Sequence, residues 1–162
     1  CQKIQERITR LASGIAIIKV GGLTEVEMIE KKHRIEDAIE ACVSAQQEGF
    51  VCGGGVAFLR ISKQLNIKTD NISQTHGVDI LRKSMQEPFN KIISNADLSP
   101  DVCRDKIDNL DWNFGYDVSK GIIVDLLKEG IIDPVKVLTC SLKNAASAAT
   151  TLFSTKAAII EC

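Results

Sequence analysis

The stretch TEVEMIEKKHRIEDAIEACVSAQQEGFVCGGGVAFLR, Thr24 to Arg60, decides the fold class. Thr24 is a good N-cap, and Glu27 three residues on completes a capping box, so a helix begins here. On a 3.6-residue helix Met28, Ile35, Ile39, Cys42 and Gln46 fall close together and form a seam. Asp37 lies about 200° from Ile35 at the helical step of roughly 100° per residue, off that seam. Gly49 ends the helix. Cys52-Gly53-Gly54-Gly55 then leads into the apolar run Val56, Ala57, Phe58, Leu59 and Ile61. Val51–Leu65 therefore reads as a second, buried helix. Two helices joined through a glycine turn predict a mainly α fold.

Working outward, Lys3–Leu11 (KIQERITRL) shows helical spacing, with Ile4, Ile8 and Leu11 on one face, and Ser13-Gly14 breaks it. Gly14–Gly22 (GIAIIKVGG) is a β-branched run bounded by glycines and predicts a buried strand. Downstream, Asn66–Gln74 reads as a polar loop. Helices are predicted at His76–Gln86, at Pro88–Asn95 and from Ser99-Pro100, with proline at first-turn positions. Asp108–Tyr116 reads as a turn-rich loop and Val118–Glu129 as a helix stopped by Gly130. Pro134 opens a last helix to about Ser154, whose Ala145, Ala146, Ala148 and Ala149 let neighbouring backbones approach. Ala157–Ile160 predicts a terminal strand.

Composition narrows the class. A chain of 162 residues can bury one real core, and 44% apolar with 25% charged residues is ordinary for a globular protein. A net charge of −1 gives no basic field for nucleic acid or an anionic membrane. No apolar run is long enough to cross a bilayer, and none resembles a signal peptide. Six cysteines at wide spacings, with no CxxC, read as reduced thiols of an intracellular protein rather than a disulfide framework. His33 and His76 lie near no cysteine pair, so no zinc pattern exists. The first residue is Cys1 rather than Met, which points to a fragment.

Three features could carry chemistry. Gly53-Gly54-Gly55 at a helix start would let a phosphate approach free N–H groups, although a tight packing turn explains the glycines equally simply. It is not a Walker loop, because no Gly-Lys-Ser/Thr follows. Asp37 could orient a water for attack on phosphorus, and is otherwise a solvated surface acid. Asp133, just before Pro134, reads as a helix N-cap, although an aspartate at a loop tip can also accept from ribose hydroxyls. Spacing alone ends at a helical domain with a possible anion site.

The order of motifs goes further. EVEMIEKKHRIEDAIEA (Glu25–Ala41), EGFVCGGGVAFLR (Glu48–Arg60), NFGYD (Asn113–Asp117) and GIIDPVKV (Gly130–Val137) together closely resemble the group I chaperonins, those of bacteria and organelles. The opening Lys3–Gly22 and the alanine-rich last helix also look like that family. The resemblance covers nearly the whole chain and is weakest over Ile67–Leu110. It implies a mainly α fold with short β-strands. Residues 1–14 would be the end of an apical domain, 15–48 the C-terminal part of an intermediate domain, and 49–162 the C-terminal half of an equatorial ATP-binding domain. Gly14 and Gly49 would then fall at interdomain hinges.

The resemblance also implies roles. Asp37 matches the catalytic aspartate of ATP hydrolysis, Gly54 a backbone contact to nucleotide, Asp117 and Val118 the lining of the adenine, and Asp133 the ribose ligand. Asp117 stands where many members have Asn, and a carboxylate cannot donate as an amide does. ATP and magnesium are the implied cofactors, with potassium a further candidate. The family's GDGTTT-like phosphate loop and its magnesium aspartate are absent from this chain, as is the client-binding face. This implies half a nucleotide site, and no ATP hydrolysis by the chain alone. The implied partners are copies of the subunit in a double heptameric ring, a co-chaperonin and unfolded clients, in bacterial cytoplasm or in a mitochondrial or plastid matrix. The alternative is a degenerate chaperonin-like or helical scaffold that acts only by binding partners.

Overall fold

The computed structural model describes Ile4, Arg7 and residues 16–157. The chain divides into two compact units, Cys1–Glu40 and Ala41–Cys162. Apart from Ile4 and Arg7, both helical, the predicted helix at Lys3–Leu11 lies outside the described residues, as does most of the terminal strand at Ala157–Ile160.

Helix α1 spans Glu25–Glu48 and crosses the boundary between the units. Its start follows from the capping box: Thr24 Oγ1 accepts from the Glu27 N–H at 3.2 Å, and the Glu27 carboxylate accepts from the Leu23 N–H at 2.9 Å. Glu27–Lys31 and Glu30–Arg34 are exposed i, i+4 pairs that support the helix weakly, since water screens them. No residue of α1 is buried, and Met28 and Ile39 are 40% and 46% exposed. The predicted seam is thus a pattern that nothing among the described residues covers. Ala16–Gly22 forms no strand either, since a strand needs a partner for its N–H and C=O groups and none among the described residues pairs with it.

The second unit holds the core. Strand β1 (Phe50–Cys52) pairs antiparallel with β4 (Ile132–Pro134), Val51 opposite Asp133 and Cys52 opposite Ile132. Helix α2 (Val56–Gln64) follows the three glycines, so the predicted Val51–Leu65 helix is a short strand, a turn and a shorter helix. Helix α3 (Ile72–Ser84) starts earlier than predicted. The Asn71 side chain accepts from the Gln74 N–H at 2.9 Å, and the Gln74 side chain accepts from the Asp70 N–H at 2.8 Å, a cap hidden in what read as a loop. Helices α4 (Glu87–Asn95) and α5 (Pro100–Asp108) open on proline as predicted. Leu59 of α2, Phe89 and Ile93 of α4, Ile107 of α5 and Leu126 are all but fully buried. Each contributes about 1.5–3 kcal/mol through removal of apolar surface from water.

The predicted helix at Val118–Glu129 is instead a hairpin, β2 (Phe114–Asp117) with β3 (Ile122–Asp125). Two local features override the helical pattern. Gly121 takes a left-handed φ of 70°, and Ile122, Ile123 and Val124 are β-branched. Helix α6 (Val135–Ser154) matches the predicted last helix. Asp133 is not its N-cap: Pro134 holds that position without a side-chain cap, and Asp133 lies one residue earlier, paired with Val51 in β4. Among the described cysteines, Cys42, Cys52, Cys103 and Cys140 are free thiols.

Candidate functional site

The glycine turn is built by close approach. Gly53 donates to the Ile131 carbonyl at 2.9 Å, and a Cβ on it would meet the Ile131 and Ile132 backbone at 3.2 Å. Gly55, at φ 74°, lies so near α4 that a Cβ would sit 2.6 Å from the Phe89 nitrogen. Gly54 differs. It is left-handed, φ 65°, yet a Cβ there would meet nothing within 4 Å. Two glycines of the three are required by packing; the middle one presents bare backbone to open space at the start of α2, where an anion is favoured.

Asp133 is brought beside this turn. It lies on β4 directly opposite Val51, two residues before Gly53, and is half-buried. Burial pushes its carboxyl above the ordinary value. No hydrogen bond or ion pair among the described residues holds it, so it is a carboxylate with acceptor capacity available to a ligand hydroxyl.

Asp117 ends β2 and Val118 begins the turn that follows it. The hairpin is seated on α2 through Gly115, where a Cβ would collide with Val56 Cγ2 at 2.8 Å. Val118 packs against the core cluster. The buried Asp117 carboxylate is already engaged. Its Oδ1 accepts from the Ser119 hydroxyl at 2.6 Å, the Ser119 N–H at 2.9 Å and the Lys120 N–H at 3.3 Å. The Ser119 hydroxyl bond, above all, holds Asp117 below the ordinary carboxylate range. That side chain shapes the turn from β2 to β3, as a short acid does in an Asx turn.

Asp37 belongs to the first unit and the other four candidates to the second. It stands exposed on α1 in a shallow depression with Val26, Ile29, Glu30, His33 and Arg34. Two half-open hollows of the second unit lie elsewhere. They are lined by apolar side chains such as Phe58, Met85, Trp112 and Leu142 and contain none of the candidates. No group of three or more His, Cys, Asp and Glu among the described residues could hold a metal ion, so these residues do not by themselves make a magnesium site.

One residue escaped the sequence reading. Arg60, in the middle of the apolar run of α2, is 9% exposed and reaches four backbone carbonyls. A charged side chain inside a run read as buried was the available signal.

The family of TCP-1/cpn60 chaperonins matches the chain over residues 4–161. The chain belongs to that family. A solved chaperonin superposes on it, the crystal structure of a group III chaperonin in the open state, with a TM-score of 0.72 at 23% sequence identity. The likeness covers 86% of this chain and 30% of that one. At that identity it carries the fold alone, mostly helical with short antiparallel strands in this chain. This chaperonin chain thus spans under a third of the length of the relative it matches. Among its described residues no helix is long and apolar enough to cross a membrane.

Proposed function

We propose that the chain supplies part of the nucleotide site of an ATP-driven chaperonin subunit of group I, the bacterial and organellar class. The observation that carries this reading is the strand register that sets Asp133, a half-buried carboxylate without a partner among the described residues, opposite Val51, three residues before the open, left-handed Gly54. The glycine backbone and the α2 N-terminus suit phosphate, and Asp133 suits a ribose hydroxyl. Val118 lines the adenine with backbone at the hairpin turn that Asp117 holds in shape. Asp37 orients the water that attacks the terminal phosphorus. Magnesium, and potassium where used, take ligands elsewhere in the complete subunit. Residues 1–14, 15–48 and 49–162 belong to apical, intermediate and equatorial domains, hinged at Gly14 and Gly49. The subunit works in a double heptameric ring with a co-chaperonin and unfolded clients, in bacterial cytoplasm or an organellar matrix.

The test is Asp37→Ala in the complete subunit. Hydrolysis of ATP is expected to fall about a hundredfold or more, while the Kd for ADP changes by less than about twofold. Unchanged turnover overturns the catalytic role. A parent subunit that neither binds nor hydrolyses ATP overturns the nucleotide site itself and leaves the partner-binding scaffold.

A further inference from the structure

Arg60 is a buried guanidinium that no carboxylate among the described residues pairs with. Its Nη2 donates to the carbonyls of Ile107 at 2.8 Å, Asp111 at 3.1 Å and Phe114 at 3.4 Å, and its Nη1 to Asp108 at 3.4 Å. Its Nε, also buried, meets no acceptor. An ionised side chain is costly to bury, so the compensation must come from these carbonyls. Ile107 and Asp108 are the last residues of α5, where carbonyl dipoles converge and favour a cation. Asp111 lies in the connection, and Phe114 opens β2. One planar fork on α2 therefore grips the end of α5, the loop after it and the first residue of the hairpin.

We propose that Arg60 is a positioning residue for nucleotide: it sets the gap between the glycine turn that opens α2 and the hairpin strand β2, which ends at Asp117 with Val118 next in the turn. The inference rests on the nucleotide-site reading above. Arg60 lies five residues beyond Gly55, the N-cap of its helix, and Phe114 lies three residues before Asp117 on the strand that delivers it. Gly115 already touches Val56 from the next position of β2. Contact at Gly115 stops the hairpin from moving closer, and Arg60 stops it from moving away. A ligand that spans both elements would feel that gap in its binding, in the ground state and the transition state alike. Lysine cannot replace this. It has a single nitrogen on a flexible stem, and it cannot bridge two groups of carbonyls as a rigid fork does. The neighbouring Lys63–Asp108 ion pair, which also ties α2 to α5, is partly exposed and ends short of the hairpin.

The experiment compares Arg60→Lys and Lys63→Met with the unmodified complete subunit. Measured are the Kd and stoichiometry for ADP by calorimetry, KM and kcat for ATP, and amide exchange at Phe114–Asp117. Arg60→Lys is expected to raise the ADP Kd and the ATP KM roughly tenfold with kcat within about twofold, and to speed exchange in β2. Lys63→Met should leave both constants unchanged. A purely structural role would lower stoichiometry and kcat at constant Kd and KM, and that result overturns the proposal, as does an Arg60→Lys variant that binds normally. If Arg60→Lys does not fold, one glycine inserted after Leu110 displaces Asp111 and Phe114 from the fork while leaving Ile107 in place, and the same two outcomes apply. An unmodified subunit that fails to bind ADP removes the nucleotide site and this proposal together. Normal binding by the parent isolates any failure to Arg60.

Discussion

At the scale of single residues, Asp133 carries two opposed demands. Burial raises its carboxyl above the ordinary value of 3.8, so the folded chain holds that proton more tightly than the unfolded chain. Its contribution to stability is therefore greatest below 3.8, declines as pH rises through the raised folded value, and stays low at neutral pH. Asp133→Asn keeps the shape and removes the charge. It is expected to move the urea midpoint of this chain upward at pH 7, with the gain vanishing near pH 3. In the complete subunit the same substitution should weaken ADP by about tenfold, as loss of a bond to an ionised acceptor does. A variant that is more stable but binds as tightly would separate the burial from the ribose role. Asp117 makes the converse point. Its carboxylate looked like a contact to base from sequence, yet Ser119 and Lys120 occupy it. Nothing in Tyr116-Asp117-Val118 announces a turn, because the residue that completes it, Gly121, comes four positions later.

At the scale of elements, the glycine turn divides into supports and an opening. Gly55→Ala places a methyl group 2.6 Å from the Phe89 backbone at φ 74°, where neither side can yield. It should destabilise this chain by about 3 kcal/mol or more. Gly54→Ala meets no atom and should cost only about 1–2 kcal/mol for its left-handed backbone, while weakening nucleotide in the complete subunit. Urea unfolding of the two variants checks the first contrast. Equal losses would mean that Gly54 is packed like its neighbours. Three helices, long and short, were legible in the sequence because capping and proline signals sit at their starts: Thr24 and Glu27 for α1, Pro88 for α4, Pro100 for α5. The short strands were not. β1 and β4 span three residues each, too few to show a period, and the run Ile122–Val124 satisfies helix and strand alike until Gly121 is known to be left-handed. Of the site, Gly54 and Asp133 were legible as residue types only. Their meeting depends on a pairing between segments far apart in sequence.

At the scale of the whole chain, apolar surface remains uncovered. Helix α6 runs for 20 residues with none buried, and its Leu152 and Phe153 are 72% and 85% exposed. Large side chains exposed together favour association. The chain is expected to sediment as concentration-dependent oligomers, and Leu152→Ser with Phe153→Ser to shift it toward monomer. A monodisperse monomer before substitution would show that this face is harmless. The clasp of β1 on β4 has a mechanical consequence. Phe50 pairs with Pro134, and Gly49 accepts from the Val135 N–H, so α1 and α6 leave the clasp from the same end. Tension applied between these two helices would load the hydrogen bonds one after another, as in a zipper, rather than all at once in shear. The clasp would part at low force, and the partnership of Val51 with Asp133 would be lost before the buried core around Leu59 and Phe89 felt any strain.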